Sequence, residues 1–181
     1  MNKQIQLLAV AVSFGVVYPL FSGATLRPDK IHTADARKTD VYITDGVFTG
    51  GDRAVDDVIV KDIRRSPNPG YERIVIDITG NRAGDSTAIK RAPYYQVAFS
   101  PEEKRIMFTI WGKPKLAFDA GRVVAAFKKS RIVSAVELFP KLEDGSWTFV
   151  LGLKNGRQLE VFELTDPARI IADIRPDRRK H

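Results

Sequence analysis

Cysteine is absent from this chain of 181 residues, and histidine occurs only twice, at His32 and His181. Without cysteine, the chain can form no disulfide scaffold, no catalytic thiolate and no cysteine-ligated zinc site. Two histidines so far apart in sequence also exclude a site built on a local histidine pair. We therefore predict no metal and no cofactor, and we expect the hydrophobic core alone to stabilise the fold.

Motifs for catalysis are missing as well. The sequence contains no Gly-x-Ser-x-Gly elbow and no phosphate-binding loop. Adjacent carboxylates occur at residues 56–57, 102–103 and 143–144, but each pair falls in a predicted turn or linker. A glycosidase needs two carboxyl groups converging on one cleft at about 5 to 9.5 Å, which neighbouring turn residues do not provide. We predict that the protein is not an enzyme and has no catalytic residues.

The longest uncharged apolar run is short, covering the 13 residues 5–17. A membrane-spanning helix needs roughly 20 such residues, so an uncleaved anchor is the weaker interpretation. Lys3 precedes the run, and the small residues 22–24 follow it at the spacing read by a signal peptidase. We predict a signal peptide over residues 1–24, a periplasmic or secreted protein, and no membrane span after cleavage.

Positive charge is in excess, since 29 lysines and arginines face 22 acidic residues, a net charge of +7. Such an excess favours polyanionic or carboxylate-rich partners. The basic residues are not clustered and the predicted compartment is outside the cytoplasm, so nucleic acid is not expected as a partner. The length suits one domain of ordinary size with appendages.

Two segments outside the main domain have distinct compositions. Residues 25–56 are rich in turn-forming and charged residues and are predicted to form a flexible spacer. Within it, short extended pieces at 41–43 and 47–48 flank an Asp-Gly turn signal and could attach to the domain. Residues 176–181 are predicted to be a basic tail.

Residues 57–175 show a different pattern, with short runs of β-branched and aromatic residues separated by Gly, Pro, Asn and Asp. This pattern is typical of an all-β fold, and we predict a two-sheet β-sandwich with one short helix. The helix is expected from Asp119 as N-cap to Lys129. Turns at 100–103 and 154–157 predict two antiparallel hairpins. The predicted strands are residues 58–64, 73–79, 94–100, 105–111, 132–139, 147–154, 158–164 and 170–175.

A repeat is visible in two of these strands. Residues 73–78 (RIVIDI) and 169–174 (RIIADI) share the order Arg, Ile, apolar, apolar, Asp, Ile. Because side chains alternate along a strand, positions 2, 4 and 6 of each copy should face the core, namely Ile74, Ile76, Ile78, Ile170, Ala172 and Ile174. Positions 1, 3 and 5, among them Ile171 of the second copy, should face outward. The outward arginines Arg73 and Arg169 are then expected to form cross-strand ion pairs with the repeated aspartates.

Three motifs resemble those of the AMIN domain, and more closely its AMIN-like relatives on secreted bacterial proteins. They are residues 70–77 (GYERIVID), 93–97 (PYYQV) and 166–174 (DPARIIADI). The resemblance spans residues 58–175. It implies a β-sandwich of two sheets and a targeting role, because AMIN domains on cell-wall amidases and pilus secretins are linked to peptidoglycan or septal localisation.

A binder of peptidoglycan needs guanidinium groups for carboxylates and exposed aromatic faces for sugar rings. Arginines beside predicted strands could form such a surface or could be an unspecific solvated face. Of Tyr94 and Tyr95, alternation directs one into the core, and Trp111 is either a sugar platform or a half-buried rim residue. The candidate ligand-binding residues are Arg64, Arg65, Arg73, Arg91, Tyr94, Tyr95, Trp111, Arg169 and Arg175.

The sequence therefore predicts a non-catalytic cell-envelope binding domain, which recognises peptidoglycan or a related anionic envelope glycan and serves localisation. The alternative is a protein–protein docking module for an envelope complex associated with a secretin or an amidase. In that case an edge strand or residues 25–56 would pair with an envelope protein by strand addition.

Overall fold

The computed structural model describes residues 28–82, 85–139 and 145–176. The predicted signal peptide, residues 1–24, and most of the predicted basic tail lie outside the described residues. A short 3₁₀ turn at Pro28–Lys30 opens the described chain. The elements that follow are β1 (Ile31–Thr33), β2 (Gly46–Gly50), β3 (Val58–Asn68), β4 (Tyr71–Arg82), β5 (Asp85–Thr87), β6 (Tyr95–Ser100), β7 (Arg105–Ile110), β8 (Lys115–Leu116), α1 (Ala120–Phe127), β9 (Val133–Leu138), β10 (Trp147–Leu153), β11 (Gly156–Leu164) and β12 (Arg169–Pro176).

The strands form two mixed sheets packed face to face, so the predicted all-β sandwich with one short helix is confirmed. The first sheet has the order β1-β2-β6-β7-β10-β9, and the second has the order β11-β12-β4-β3-β8 with β5 beside β4. All eight predicted strands are present, with boundaries shifted by a few residues. Of the four additional strands, β2 contains the extended piece expected at 47–48, and β1, β5 and β8 are two or three residues long, too short for alternation to be visible.

The core lies between the sheets and follows the predicted alternation. Ile74, Ile76 and Ile78 of β4 are almost fully buried, as are Ile170 and Ile174 of β12. From the first sheet they meet large aromatic side chains, including the stacked rings of Phe108 and Phe149, whose centroids are 4.5 Å apart. Burial of these apolar side chains is the dominant favourable contribution to folding.

Two features of the second repeat strand differ from the prediction. Ile171 and Asp173 were expected on an outward, solvated face, but both are buried. Residues 34–43 run beside β11 and cover part of this face, with backbone bridges from Asp35 to Phe162 and from Ile43 to Leu159. A strand face is solvated only where nothing packs over it, which alternation alone does not reveal.

The described part of the predicted spacer, residues 28–56, is not a flexible spacer. Strand β2 lies inside the first sheet, between β1 and β6, and its Phe48 side chain is buried. The short piece at 47–48 does attach to the domain, as one interpretation of the sequence allowed. Its place inside the sheet is set by pairing with residues 95–99 of β6, about 50 residues away in sequence, which local pattern does not reveal.

One predicted hairpin is confirmed and the other is wrong. The turn after β6 joins it to β7 in an antiparallel pair. The segment around Asn155, however, carries the chain from β10 in the first sheet to β11 in the second. Both edges of β10 are already occupied, by β7 and β9, so β11 pairs with β12 instead.

Helix α1 begins where the sequence predicts, since the Asp119 carboxylate accepts a hydrogen bond from the Arg122 N–H at 3.0 Å. It ends at Phe127, slightly before the expected Lys129. Val123 and Phe127 are buried, and the helix packs against β9 and β3, which closes one open side of the sandwich. The Arg65 Nε donates to the Ala126 carbonyl at 3.1 Å near the helix C-terminus.

Candidate binding cleft

A cleft of about 400 Å³ opens at one end of the outer face of the first sheet. Its wall is formed by Tyr94, directly before β6, and Trp111, directly after β7, whose ring centroids are 5.1 Å apart. The backbone aligns them, because the Trp111 N–H donates to the Tyr94 carbonyl at 2.9 Å. Gln96, two residues after Tyr94 and on the same face, also lines the cleft. We call this feature the Arg53 cleft, after the charged residue at its mouth.

Asp56 and Arg53 are the charged residues that line the cleft, and Arg53 is the cation of the two. Its guanidinium carbon lies 4.1 Å from the centroid of the Tyr94 ring, so the planar group stacks on an aromatic face. The side chain is exposed, and no carboxylate lies within 4 Å of it among the described residues. Stacking orients the guanidinium while leaving its N–H edge open, an arrangement suited to bidentate binding of a carboxylate.

The other cations near the cleft are neutralised. Arg91 is 3.2 Å from the Asp52 carboxylate, and Lys113 is 2.5 Å from the Asp56 carboxylate. The hydrogen bond with Asp56 raises the pKa of Lys113, and the same bond lowers the pKa of Asp56. Arg53 is therefore the cation best placed to attract an anionic ligand to this end of the sheet.

The loop that carries Arg53 is held on both sides. Asp52 exchanges backbone hydrogen bonds with Ala92 and Tyr94, at 2.9 and 3.0 Å. The Gly51 N–H donates to the Glu163 carboxylate, which reaches across from β11. Tyr95, buried behind the loop, has a pKa raised well above 10 by its burial and by the neighbouring Glu163 carboxylate, so its phenol stays neutral. The loop is thus part of the sandwich rather than a mobile appendage.

Replacing Gly51 by alanine should destabilise the protein by about 2 kcal/mol or more. Gly51 has φ +77°, a conformation that costs an L-residue about 1–2 kcal/mol, and an added Cβ would lie 1.9 Å from the Pro93 carbonyl oxygen. Chemical denaturation measures this change. Gly70→Ala is the matched control, since Gly70 has a similar φ of +82° but open space around it. Equal losses in the two variants would contradict the tight loop packing.

Of the nine predicted site residues, Tyr94 and Trp111 line the Arg53 cleft, and Arg91 lines an adjacent cavity with Arg53 and Tyr94. Tyr95 points into the core, with an exposure of 0%, so it is not part of any binding surface. This agrees with the expectation that one of the two adjacent tyrosines is buried. The remaining five candidates are arginines of the second sheet, far from the cleft in the fold.

These five arginines are engaged in ion pairs. The predicted pairing of the repeat is confirmed, with Arg73 on Asp173 at 2.7 Å and Arg169 on Asp77 at 3.3 Å. The Arg169 contact lacks hydrogen-bond geometry at Nε, whereas Arg73 binds both carboxylate oxygens. The other partners are Asp77 for Arg64, Glu72 for Arg65 and Asp40 for Arg175. As ligand-binding candidates they are weaker than Arg53, because their guanidinium groups are already neutralised.

Sequence reasoning missed Arg53 and Gln96. Gln96 could have been found, because strand alternation puts it on the same face as Tyr94. Arg53 could not, since it lies in the segment interpreted as a spacer, and its place beside Tyr94 depends on the long-range bridge between Asp52 and Pro93.

No protein-family model matches the chain, and a search of the curated proteins finds no match. Within the described residues, no helix combines the length and apolar character needed to cross a membrane. Among the same residues, no group of three or more histidine and carboxylate side chains could hold a metal ion.

Proposed function

We propose that this protein is a non-catalytic binding domain of the cell envelope, which recognises peptidoglycan or a related anionic envelope glycan. The observation that carries the proposal is the exposed Arg53 guanidinium, stacked on Tyr94 beside Trp111, with no carboxylate partner among the described residues. A signal peptide and a periplasmic or secreted location, both expected from the sequence, are part of this proposal.

The chemistry of the Arg53 cleft suits such a glycan. Peptidoglycan presents carboxylates on its lactyl groups and peptide stems, and a guanidinium binds a carboxylate through two parallel hydrogen bonds. The apolar faces of sugar rings pack on aromatic side chains such as Trp111, whose indole lines the cleft. The AMIN-like motifs of the sequence point to the same class of ligand and to a role in localisation.

Replacing Arg53 by glutamine should weaken binding to purified peptidoglycan sacculi about tenfold, because a hydrogen bond to a charged group contributes about 1.5–3 kcal/mol. Co-sedimentation at physiological salt, with the protein titrated over a fixed amount of sacculi, measures the change. The matched control is Arg131→Gln, which removes the same charge at the opposite end of the first sheet. A wild-type protein that stays in the supernatant would reject the proposed function.

Docking to an envelope protein is the second candidate. Strand β9 ends the first sheet on one side, and Phe139, directly after it, is 45% exposed. An edge strand with an exposed aromatic residue can accept a partner strand. Cross-linking in cells separates the two candidates, since one discrete partner band through β9 supports docking and its absence supports glycan binding.

A further inference from the structure

A row of uncharged polar side chains crosses the outer face of the first sheet. The residues are register partners on four consecutive strands, with Thr49 opposite Gln96, Gln96 opposite Thr109, and Thr109 opposite Thr148. Each is partly exposed, and each alternates with a buried core residue on its own strand. We call these four residues the polar row.

The polar row is continuous with the Arg53 cleft. The Gln96 Nε2 donates to the Tyr94 hydroxyl at 2.9 Å, so the first wall residue of the cleft is hydrogen-bonded to the row. Further along, the Thr109 and Thr148 hydroxyls are 3.1 Å apart. These links fix the side-chain rotamers, which lowers the entropy lost when a ligand binds.

The two outer faces of the sandwich differ in charge. On the central strands β6, β7 and β10, the outward positions next to the polar row are Ala98, Met107 and Val150. The outer face of the second sheet instead carries the neutralised ion pairs of Arg64, Arg73 and Arg169. Arg105 on β7 and Glu137 on β9 are charged residues of the same outer face, but the polar row and its neighbours on the central strands are uncharged.

We propose that the polar row extends the Arg53 cleft into a groove for an extended polysaccharide chain, and this inference rests on the proposed function. Arg53 would hold one carboxylate, Trp111 one ring face, and the row the hydroxyl and acetamido groups of the following sugars. Neighbouring strands are about 4.7–4.9 Å apart, so the row offers one polar side chain at intervals close to the length of one sugar unit in an extended chain.

The composition of the row favours a sugar over a protein as its occupant. Threonine hydroxyls and a carboxamide both donate and accept hydrogen bonds, which matches the mixed donors and acceptors of sugar hydroxyls. Protein interfaces are instead centred on aromatic and arginine anchors inserted into apolar pockets. The polar row has none of these, and its strands are fully paired within the sheet, which leaves no backbone groups there for strand addition.

The test is the dependence of affinity on ligand length. Isothermal titration of the full chain with β-1,4-linked peptidoglycan oligomers of two to six sugar units, which carry the lactyl carboxylate, should show affinity rising about tenfold from the shortest to the longest, since each hydrogen bond contributes about 0.5–1.5 kcal/mol. Thr109→Val/Thr148→Val keeps the side-chain shape and removes two hydroxyls, each worth roughly a two- to tenfold change in affinity. This variant should bind the disaccharide as the wild type does, but its affinity should no longer rise with the number of sugar units.

The matched control is Thr79→Val/Thr87→Val, which removes two hydroxyls from the second sheet. Its affinity should still rise with the number of sugar units, as in the wild type. If the wild type binds sacculi through Arg53 but its affinity does not rise with length, or the row variant keeps the rise, the inference is overturned while the proposed function stands. If a photo-crosslinker at Thr109 captures a discrete protein instead of glycan, the inference is also overturned. Failure to bind sacculi at all rejects the proposed function itself.

Discussion

Replacing Glu160 by alanine should lower the free energy of unfolding by about 3–5 kcal/mol, because it removes a buried carboxylate that accepts several hydrogen bonds, each worth about 1.5–3 kcal/mol when one group is charged. The Glu160 side chain is only 2% exposed and pairs with the Lys38 Nζ at 2.7 Å. Its Oε1 also accepts hydrogen bonds from the N–H groups of Thr39 and Asp40, each at 2.7 Å. The alanine variant leaves the N–H groups of Thr39 and Asp40 without this acceptor, while Lys38 keeps its contacts with Asp40 and Asp173, and it weakens the attachment of residues 38–40 to β11.

Urea denaturation measures this change. Glu103→Ala removes a carboxylate that is 54% exposed and should change stability by less than about 0.5 kcal/mol. Glu160→Gln, which keeps the shape and one acceptor oxygen, should fall between the two. A loss near zero in Glu160→Ala would contradict the role of residues 28–56 as an integral part of the sandwich.

The same carboxylate should make stability depend on pH. Burial raises the pKa of Glu160, but hydrogen bonds from Lys38, Thr39 and Asp40 together lower it below its usual value of about 4.5. A carboxyl with a lowered pKa in the folded state contributes stability that is present above pH 4.5 and is lost as the pH falls through the folded-state value. The denaturation midpoint of Glu160→Gln should therefore fall less between pH 5 and 3 than that of the wild type.

Replacing Trp111 by alanine should weaken binding to sacculi about thirtyfold, the effect of losing an anchor residue worth about 2 kcal/mol. Trp111 lines the Arg53 cleft and packs against Tyr94, so its loss removes the ring platform and lets Tyr94 shift. The expected effect is larger than that of Arg53→Gln because the stacking surface for the sugar ring and the fixed position of Tyr94 are lost together.

Phe139→Ala is the matched control for this variant. It removes another exposed aromatic side chain, at the β9 edge, and should leave binding to sacculi unchanged. Near-ultraviolet circular dichroism checks that both variants keep the core packing of Trp147. Equal losses in the two variants would point to a general role of surface aromatics and would contradict a site at the cleft.

The main domain could be predicted from the sequence because its signals are local. Alternation in residues 73–78 gave both the strand and the direction of its isoleucines, and Asp119 marked the helix start. The repeated Arg and Asp also predicted cross-strand ion pairs, which the structure shows for Arg73 with Asp173, since oppositely charged residues on neighbouring strands tend to pair.

The features of the fold and of the cleft that the sequence did not predict depend on contacts between residues distant in sequence. The Asn155 turn resembles a hairpin, and only the occupied edges of β10 send β11 to the other sheet. Asp173 looks solvated until Lys38 is placed over it, at 3.4 Å. Arg53 becomes a candidate site residue only when the loop before it pairs with residues 92–94. In each case the pairing is set by tertiary packing, for which a single sequence carries no local signal.

We propose that the outer face of the first sheet, from Arg53 to the polar row, binds envelope glycan. Chemical-shift mapping of the ¹⁵N-labelled protein, titrated with solubilised peptidoglycan fragments, tests it most directly. We predict that the perturbed amides cluster around Arg53, Tyr94, Gln96 and Trp111 and extend to Thr109 and Thr148. Perturbations centred on the arginines of the second sheet, or none at saturating ligand, would contradict the claim.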